Sequence, residues 1–312
     1  MIPAFVFMAI GLVALAGGAD ILVRGASRLA MALGISPLVV GLTIVAMGTS
    51  APELSVSIAA AISGSSDIAL GNIVGSNIAN IGLIMGVAAL FSPVAISPAM
   101  RPYFPVMIAA MFAVPAMGID GRIGRIDGTL LVAAAIAYMV WMVRRPHPEG
   151  TDEPSPDHGA GFFHSRFGYV VMIVAGLAAL VLGSKLLVDG ATTIARGFGI
   201  SERVIGLTLV AVGTSLPELA TSIAAALRGN AAIAVGNVLG SNIANVFAIL
   251  GPTALIQPIA SPRSPGTTID AAVMIGFAAV FAVFAFAFPR IGRVAGGVFL
   301  AAYTAYCVFL FV

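Results

Sequence analysis

Apolar residues in this chain run in long blocks, and polar residues collect in the short breaks between them. A bilayer crossing needs about 20 apolar residues. On that measure ten spans are predicted, over residues 3–33, 38–62, 68–91, 101–117, 128–143, 167–198, 203–227, 231–256, 267–288 and 291–312. The first exceeds what a perpendicular crossing requires and is expected to tilt. The fold class is therefore expected to be an all-α integral membrane protein.

The pattern is also interrupted inside the second span, where Gly48, Pro52 and the acid Glu53 fall in one apolar run. Gly and Pro remove helical hydrogen bonds locally, which membrane helices tolerate where the backbone lines a polar cavity, so a discontinuous helix is expected there. The same interruption recurs 165 residues later. Residues 41–86 and 206–251 align without a gap, and about 29 of the 46 positions are identical. A repeat of this scale dictates how the rest is read. Five spans is an odd number, so the second copy enters the membrane from the opposite side. The expected arrangement is two inverted-topology five-helix repeats, residues 1–145 and 167–312, whose matched stretches meet near the midplane.

Residues 146–166 differ in composition. They carry four prolines, all three histidines (His147, His158, His164) and several acids, and read as a flexible hydrophilic linker rather than a metal-binding tract. Composition excludes a water-soluble globule: 60% of residues are hydrophobic and 9% charged, against about 25% charged in soluble domains. The lone Cys307 permits neither a disulfide framework nor a thiolate metal site. The net charge of +2 gives no indication of nucleic acid. Counted at span ends, about nine Lys and Arg fall on one side and about five on the other. This places the linker in the cytoplasm and both termini outside. Residues 1–31 lack a basic leader and are kept as a mature span. A compact chain of this kind is expected in a bacterial inner membrane, working as a monomer.

The candidate chemistry lies in the repeat. A carboxylate near mid-bilayer costs roughly 2.5 to 3.5 kcal/mol on insertion scales, so matched Glu53 and Glu218 mark a functional site. Thr49 and Ser50 lie within a turn of Glu53, as Thr214 and Ser215 do of Glu218. Ser76 with Asn80, and Ser241 with Asn245, stand four apart and share a helix face. All these donors are oxygens, which suit hard cations such as Ca²⁺ or Na⁺ and not Zn²⁺ or Cu. Small residues at Ala46, Gly48, Gly75, Ala79, Ala211, Gly213, Gly240 and Ala244 would let the backbones converge. Asn72, Asn77, Asn237 and Asn242 also recur and fit either the site or helix-to-helix bonding; Ser57 and Ser222 read as packing.

A further charged set sits in spans one and six. Asp20 and Arg24 are four apart, and Lys185 and Asp189 occupy the matched positions with signs reversed. They read as intrahelical pairs near an interface. The alternative is that Asp20 meets Lys185, and Arg24 meets Asp189, across the two halves.

GTSAPEL with GSNIAN, and GTSLPEL with GSNIAN, resemble the two alpha repeats of the sodium/calcium exchanger family of cation/calcium antiporters. The resemblance implies two inverted five-helix halves, four central helices forming ion sites, and long first and sixth helices sliding across that core. It implies as ligands the carbonyl of Ala46, Thr49, Ser50, Glu53, Ser76 and Asn80. Their counterparts are the carbonyl of Ala211, Thr214, Ser215, Glu218, Ser241 and Asn245. Asn245 stands where several relatives have Asp, leaving two acids and speaking against potassium co-transport. The implied activity is exchange of Na⁺ for Ca²⁺ by alternating access, normally exporting Ca²⁺, with no cofactor and no enzymatic step. A proton/Ca²⁺ antiporter using the same glutamates is the alternative. An ion channel and an intramembrane acid protease are the more distant readings, the latter disfavoured because both acids are Glu in PEL contexts.

Overall fold

The computed structural model describes residues 2–145, 165–199, 211–261 and 265–310. The histidine-bearing linker, Arg203 and residues 206–210 of the second repeat lie outside them. Linker positions Ser165 and Arg166 belong to a helix end: Ser165 Oγ caps the helix by accepting from the Gly168 N–H at 3.0 Å.

In chain order the helices are α1 (Ile2–Leu33), α2 (Pro37–Thr49), α3 (Ala51–Ile62), α4 (Ser66–Phe91), α5 (Tyr103–Met117), α6 (Arg125–Arg144), α7 (Arg166–Gly197), α8 (Ala211–Thr214), α9 (Leu216–Leu227), α10 (Ala231–Ile256), α11 (Pro265–Ala287) and α12 (Arg293–Phe309). Seven of these are long and apolar enough to cross a membrane, and α2 with α3 forms an eighth span bent by 45°. The shorter α9 and α12 are also apolar. The protein is a multi-pass membrane protein.

The predicted break in the second span lies at Ser50, where the backbone leaves helical geometry (φ −82°, ψ 9°), and Pro52 follows as an early residue of α3. Ser215 (φ −90°, ψ 6°) and Pro217 do the same between α8 and α9. Proline has no N–H to return to the carbonyl four residues back, so each break frees one carbonyl. The one freed by Pro217, Gly213 O, is taken by Ser184 Oγ of α7. Within α4 and α10 the turns Asn80–Met85 and Asn245–Leu250 widen to π-helical geometry at matched places. Such widening is common at functional sites.

Two small additions qualify the all-α expectation. The strand β1 (Val94–Ala95) pairs antiparallel with β4 (Arg290–Ile291), and β2 (Arg122–Ile123) with β3 (Ile259–Ala260). Two-residue strands carry no period to read in a sequence, and each pair joins loops more than 130 residues apart.

The core is built around α4 and α10, and α1 with α7 forms an antiparallel pair at its side. Gly11, Gly18 and Gly25 recur every seven residues on α1, and Gly176, Gly183 and Gly190 on α7. A Cβ added at Gly11 would sit 2.7 Å from Gly183 O, and one at Gly176 would sit 2.8 Å from Gly18 O. The two backbones touch, which only glycine permits. Of the small residues expected to bring core helices together, Gly240 does so: a Cβ there would lie 2.6 Å from Leu42 O. Gly48 and Gly213 serve α7 instead, where an added Cβ would meet Leu177 and Val188.

The cross-helix charge pairing does not form. Asp20 bonds Arg24 in its own helix, Nε to Oδ2 at 3.0 Å, and Arg228 at the end of α9, Nε to Oδ1 at 2.7 Å, rather than Lys185. Beside it Asn230 Nδ2 donates to Ser27 Oγ at 2.6 Å. The contact is one-sided, because the counterpart of Arg228 is Ser63 and α7 makes no comparable contact with α3 among the described residues.

Candidate functional site

Glu53 and Glu218 sit in the first turns of α3 and α9, just past the two breaks, each about 2% exposed. The breaks bring the serines at the ends of α2 and α8 against the opposite acid. Ser50 Oγ donates to Glu218 Oε1 at 2.8 Å, and Ser215 Oγ donates to Glu53 Oε1 at 3.1 Å. Ser50 Oγ also lies 3.2 Å from Ser241 Oγ of α10. This crossed arrangement leaves Oε2 of both glutamates buried with no hydrogen-bond partner among the described residues. A carboxylate only accepts, so two such oxygens in a low-dielectric centre call for a bound cation or a proton.

The surrounding amides hold the acids in place. Asn72 Nδ2 donates to Glu53 O at 3.1 Å and to Ser57 Oγ at 2.9 Å. Asn237 Nδ2 repeats this with Glu218 O at 3.3 Å and Ser222 Oγ at 3.0 Å. Asn72 and Asn237 thus bond helix to helix, and Ser57 and Ser222, read as packing, are their acceptors. Thr49 Oγ1 is placed against Val45 O (3.0 Å), Ala46 O (3.3 Å) and Asn237 Oδ1 (3.3 Å). Thr49 and Thr214 border Glu218 and Glu53 respectively.

The second tier of predicted ligands stands on the π-helical turns. Asn80 Nδ2 donates to Asn242 Oδ1 at 3.4 Å, and Asn245 Nδ2 to Asn77 Oδ1 at 3.2 Å. Asn245 Oδ1 is buried and has no partner among the described residues, like the two Oε2 atoms. Ser76 is buried on α4 one turn before Asn80. Ala46 O already accepts the Ser50 N–H at 3.0 Å and faces the Thr49 hydroxyl at 3.3 Å, so a cation bound there would take that hydroxyl's place. The second half differs, since the Ser215 N–H turns to Val212 O at 3.1 Å rather than to the Ala211 carbonyl.

The structure therefore gathers Thr49, Ser50, Glu53, Ser215, Glu218 and Ser241 around one centre through direct bonds or contacts, with Asn80 and Asn245 on the flanking turns. Hydroxyl, amide and carboxylate oxygens are the donor set of a hard cation. Among the described residues no cluster of three or more His, Cys, Asp or Glu competes with it. Sequence reasoning overlooked Ser184, which takes the freed carbonyl of Gly213, and Met274 and Met107, whose sulfurs lie 3.6 and 3.7 Å from the Asn77 and Asn242 amide nitrogens. Nothing in their spacing gives them away.

A multi-pass membrane protein with broken helices meeting at buried acids belongs to the class of membrane ion carriers in its architecture. The particular family follows from comparison. The family described as "Sodium/calcium exchanger protein" matches residues 3–144 and 168–312, and the chain belongs to it. "Putative antiporter CaxA" of Alkalimonas amylolytica is 40% identical over 100% of this chain and 99% of its own. "Sodium/calcium exchanger MaX1" of Methanosarcina acetivorans is 37% identical over 98% of each. Among solved structures, the sodium-calcium exchanger NCX_Mj soaked with 10 mM Na⁺ and 10 mM Sr²⁺ matches with a TM-score of 0.86 at 34% identity, covering 98% of both chains. The same exchanger without Na⁺ and Ca²⁺ matches at 0.86 and 35%, covering 99% of both.

Proposed function

We propose that this protein is a secondary active antiporter that exchanges Na⁺ for Ca²⁺, normally exporting Ca²⁺, and that Glu53 and Glu218 are the charged centre of its ion site. The carrying observation is the crossed Ser–Glu arrangement, which leaves both Oε2 atoms buried and unpartnered. The ligands extend to Thr49, Ser76, Asn80 and the Ala46 carbonyl in the first half, and to Thr214, Ser241, Asn245 and the Ala211 carbonyl in the second, together with Ser50 and Ser215.

Exchange rather than leak follows from the charge. Carrying two bare carboxylates through an occluded state is unfavourable by several kcal/mol per ion. One Ca²⁺, or at least two Na⁺, removes that cost, so the loaded carrier moves and the empty one stays. The family resemblance makes the ratio three Na⁺ per Ca²⁺. The similar NCX_Mj was soaked with Na⁺ and Ca²⁺ in one structure and with Na⁺ and Sr²⁺ in another, which supports assigning Na⁺ and Ca²⁺ here.

The moving part in this reading is the α1–α7 pair, sliding against a ten-span core of two inverted five-helix halves, residues 1–145 and 167–312. The one-sided contact of α1 with α9 supports it, since an inverted repeat caught in one of its two end states is asymmetric. Ten spans also agree with the loop contacts. The loops after the third and ninth spans pair through β1 and β4, and those after the fourth and eighth through β2 and β3. With arginines concentrated on the odd-numbered side, that side is cytoplasmic, the termini are outside, and the membrane is the inner one. One chain supplies the whole site, so the monomer is the working unit.

The test is ⁴⁵Ca²⁺ uptake into proteoliposomes loaded with Na⁺ and diluted into Na⁺-free buffer, beside K⁺-loaded and acid-loaded vesicles. Uptake from Na⁺-loaded vesicles alone is expected. Uptake driven by an acid interior would transfer the same glutamates to proton/Ca²⁺ antiport, and current without counter-ion dependence would make the protein a channel.

A further inference from the structure

Two methionines at matched places touch the amides behind the ion site. Met274 of α11 receives Asn77 Nδ2 at 3.6 Å, and Met107 of α5 receives Asn242 Nδ2 at 3.7 Å. All four side chains are fully buried. Each asparagine passes the contact on: Asn77 Oδ1 accepts from Asn245, and Asn242 Oδ1 from Asn80. The chains of contact exchange halves, because Met107 lies before the linker and the Asn242 it touches lies after it, while Met274 and Asn77 do the reverse.

A thioether can accept a hydrogen bond and cannot donate one. That asymmetry decides the orientation of an otherwise ambiguous amide. Were Asn77 turned over, its Oδ1 would face a sulfur lone pair and its Nδ2 would face the Asn245 Nδ2, giving two repulsive contacts in place of two bonds. The same holds for Asn242. With Nδ2 on sulfur, Oδ1 points to the next asparagine and claims its Nδ2. The one polar atom that asparagine has left is its own Oδ1, and in Asn245 this atom is buried and unpartnered.

We propose that Met107 and Met274 are positioning residues for ion recognition: through Asn242 and Asn77 they present the Asn80 and Asn245 carbonyl oxygens, rather than their amide N–H groups, to the ion. This rests on the reading of Asn80 and Asn245 as ligands of the transported ion. A cation needs the oxygen and is repelled by the N–H, so an amide free to turn over is a ligand for only part of the time. Packing alone, by contrast, would ask only for an apolar side chain of the right volume, which leucine nearly supplies.

The experiment compares Met107→Leu, Met274→Leu and the double variant with the corresponding Met→Gln variants, in full-length purified protein. Leucine keeps volume and removes the acceptor; glutamine is close in length and restores one. Equilibrium ⁴⁵Ca²⁺ binding, with Na⁺ competition, is read beside thermal unfolding of the ion-free protein. Each Leu variant is expected to weaken Ca²⁺ binding about three- to tenfold, the worth of one hydrogen bond. Its ion-free melting should stay within about 3 °C, and the Gln variants should regain most of the affinity. Unchanged affinity in the double Leu variant, or equal losses in Leu and Gln variants, would overturn the proposal and leave the methionines as packing. Binding is independent of the driving ion. Wild type that binds Ca²⁺ without Na⁺-driven uptake would end the exchanger reading alone, whereas wild type that binds no cation would end the relay too.

Discussion

At the scale of single residues, the centre is a pair of acids, each satisfied on one oxygen by a serine from the other half. Glu53→Gln or Glu218→Gln replaces half the negative charge with an amide that brings its own N–H into the ion's place. Ca²⁺ exchange in proteoliposomes is expected to fall below about 1% of wild type in either variant, while size-exclusion profiles stay monodisperse; near-normal flux in both would end the assignment. Ser50→Ala removes the hydroxyl that donates to Glu218 Oε1 and should cost less, about 1–3 kcal/mol of stability in the ion-free protein, recovered in part by added Ca²⁺. The acids were legible in the sequence because a charge inside an apolar run has few structural explanations and this one occurs twice. The partner of each acid was not. Ser50 and Glu53 stand three apart in one chain segment, and only the fold reveals that Ser50 serves Glu218. Met107 and Met274 were invisible for a related reason: in an apolar helix a methionine looks like any other filling residue until the amide it faces is known.

At the scale of elements, the breaks in α2–α3 and α8–α9 could be read directly, since Gly48 with Pro52, and Gly213 with Pro217, remove hydrogen bonds wherever the helix is placed. The π-helical turns at Asn80 and Asn245 were not legible, because the extra residue per turn leaves no mark on an already apolar pattern. The intrahelical Asp20–Arg24 pair forms, whereas the alternative of Asp20 with Lys185 assumes a symmetry the molecule lacks: Asp20 also reaches Arg228, whose counterpart is Ser63. Both partners are more than a third exposed by side chain, 37% for Asp20 and 35% for Arg228. Such a pair contributes at most about 1 kcal/mol. Arg228→Ala is therefore expected to shift the balance between the two end states by no more than about fivefold. The shift should appear as altered labelling of single cysteines on the two faces, in a Cys307→Ser background, with thermal stability little changed. The glycine contact between α1 and α7 is a different matter. Gly183→Val forces side-chain atoms into the Gly11 carbonyl and the Leu15 N–H, each 2.9 Å from a Cβ at that position, and the helices must part. Expected outcomes are a melting temperature lower by several degrees and loss of exchange; unchanged melting would mean the pair separates without cost.

At the scale of the whole molecule, the site is shared by both halves, and α1 with α7 lies outside it as one antiparallel unit. Two cross-links separate the parts that are expected to move from those that are not. A disulfide between cysteines at Ala95 and Arg290, direct partners in the β1–β4 pair, joins loops of opposite halves at antiparallel spacing. Exchange should survive it. A short thiol cross-linker between cysteines at Ser27 and Asn230, which touch where α1 meets α9, should stop exchange reversibly on reduction. Survival of transport with that link intact would show that α1 keeps one position throughout the cycle. The two tiny strand pairs then acquire a meaning beyond tidying loops. Neither includes a residue of α1 or α7, and each ties a loop before the linker to a loop after it. In the proposed transport cycle they are the stator: with the loops fastened, the ligand cage keeps its shape while the outer pair travels, so the ion would change the side it faces without changing the atoms that hold it.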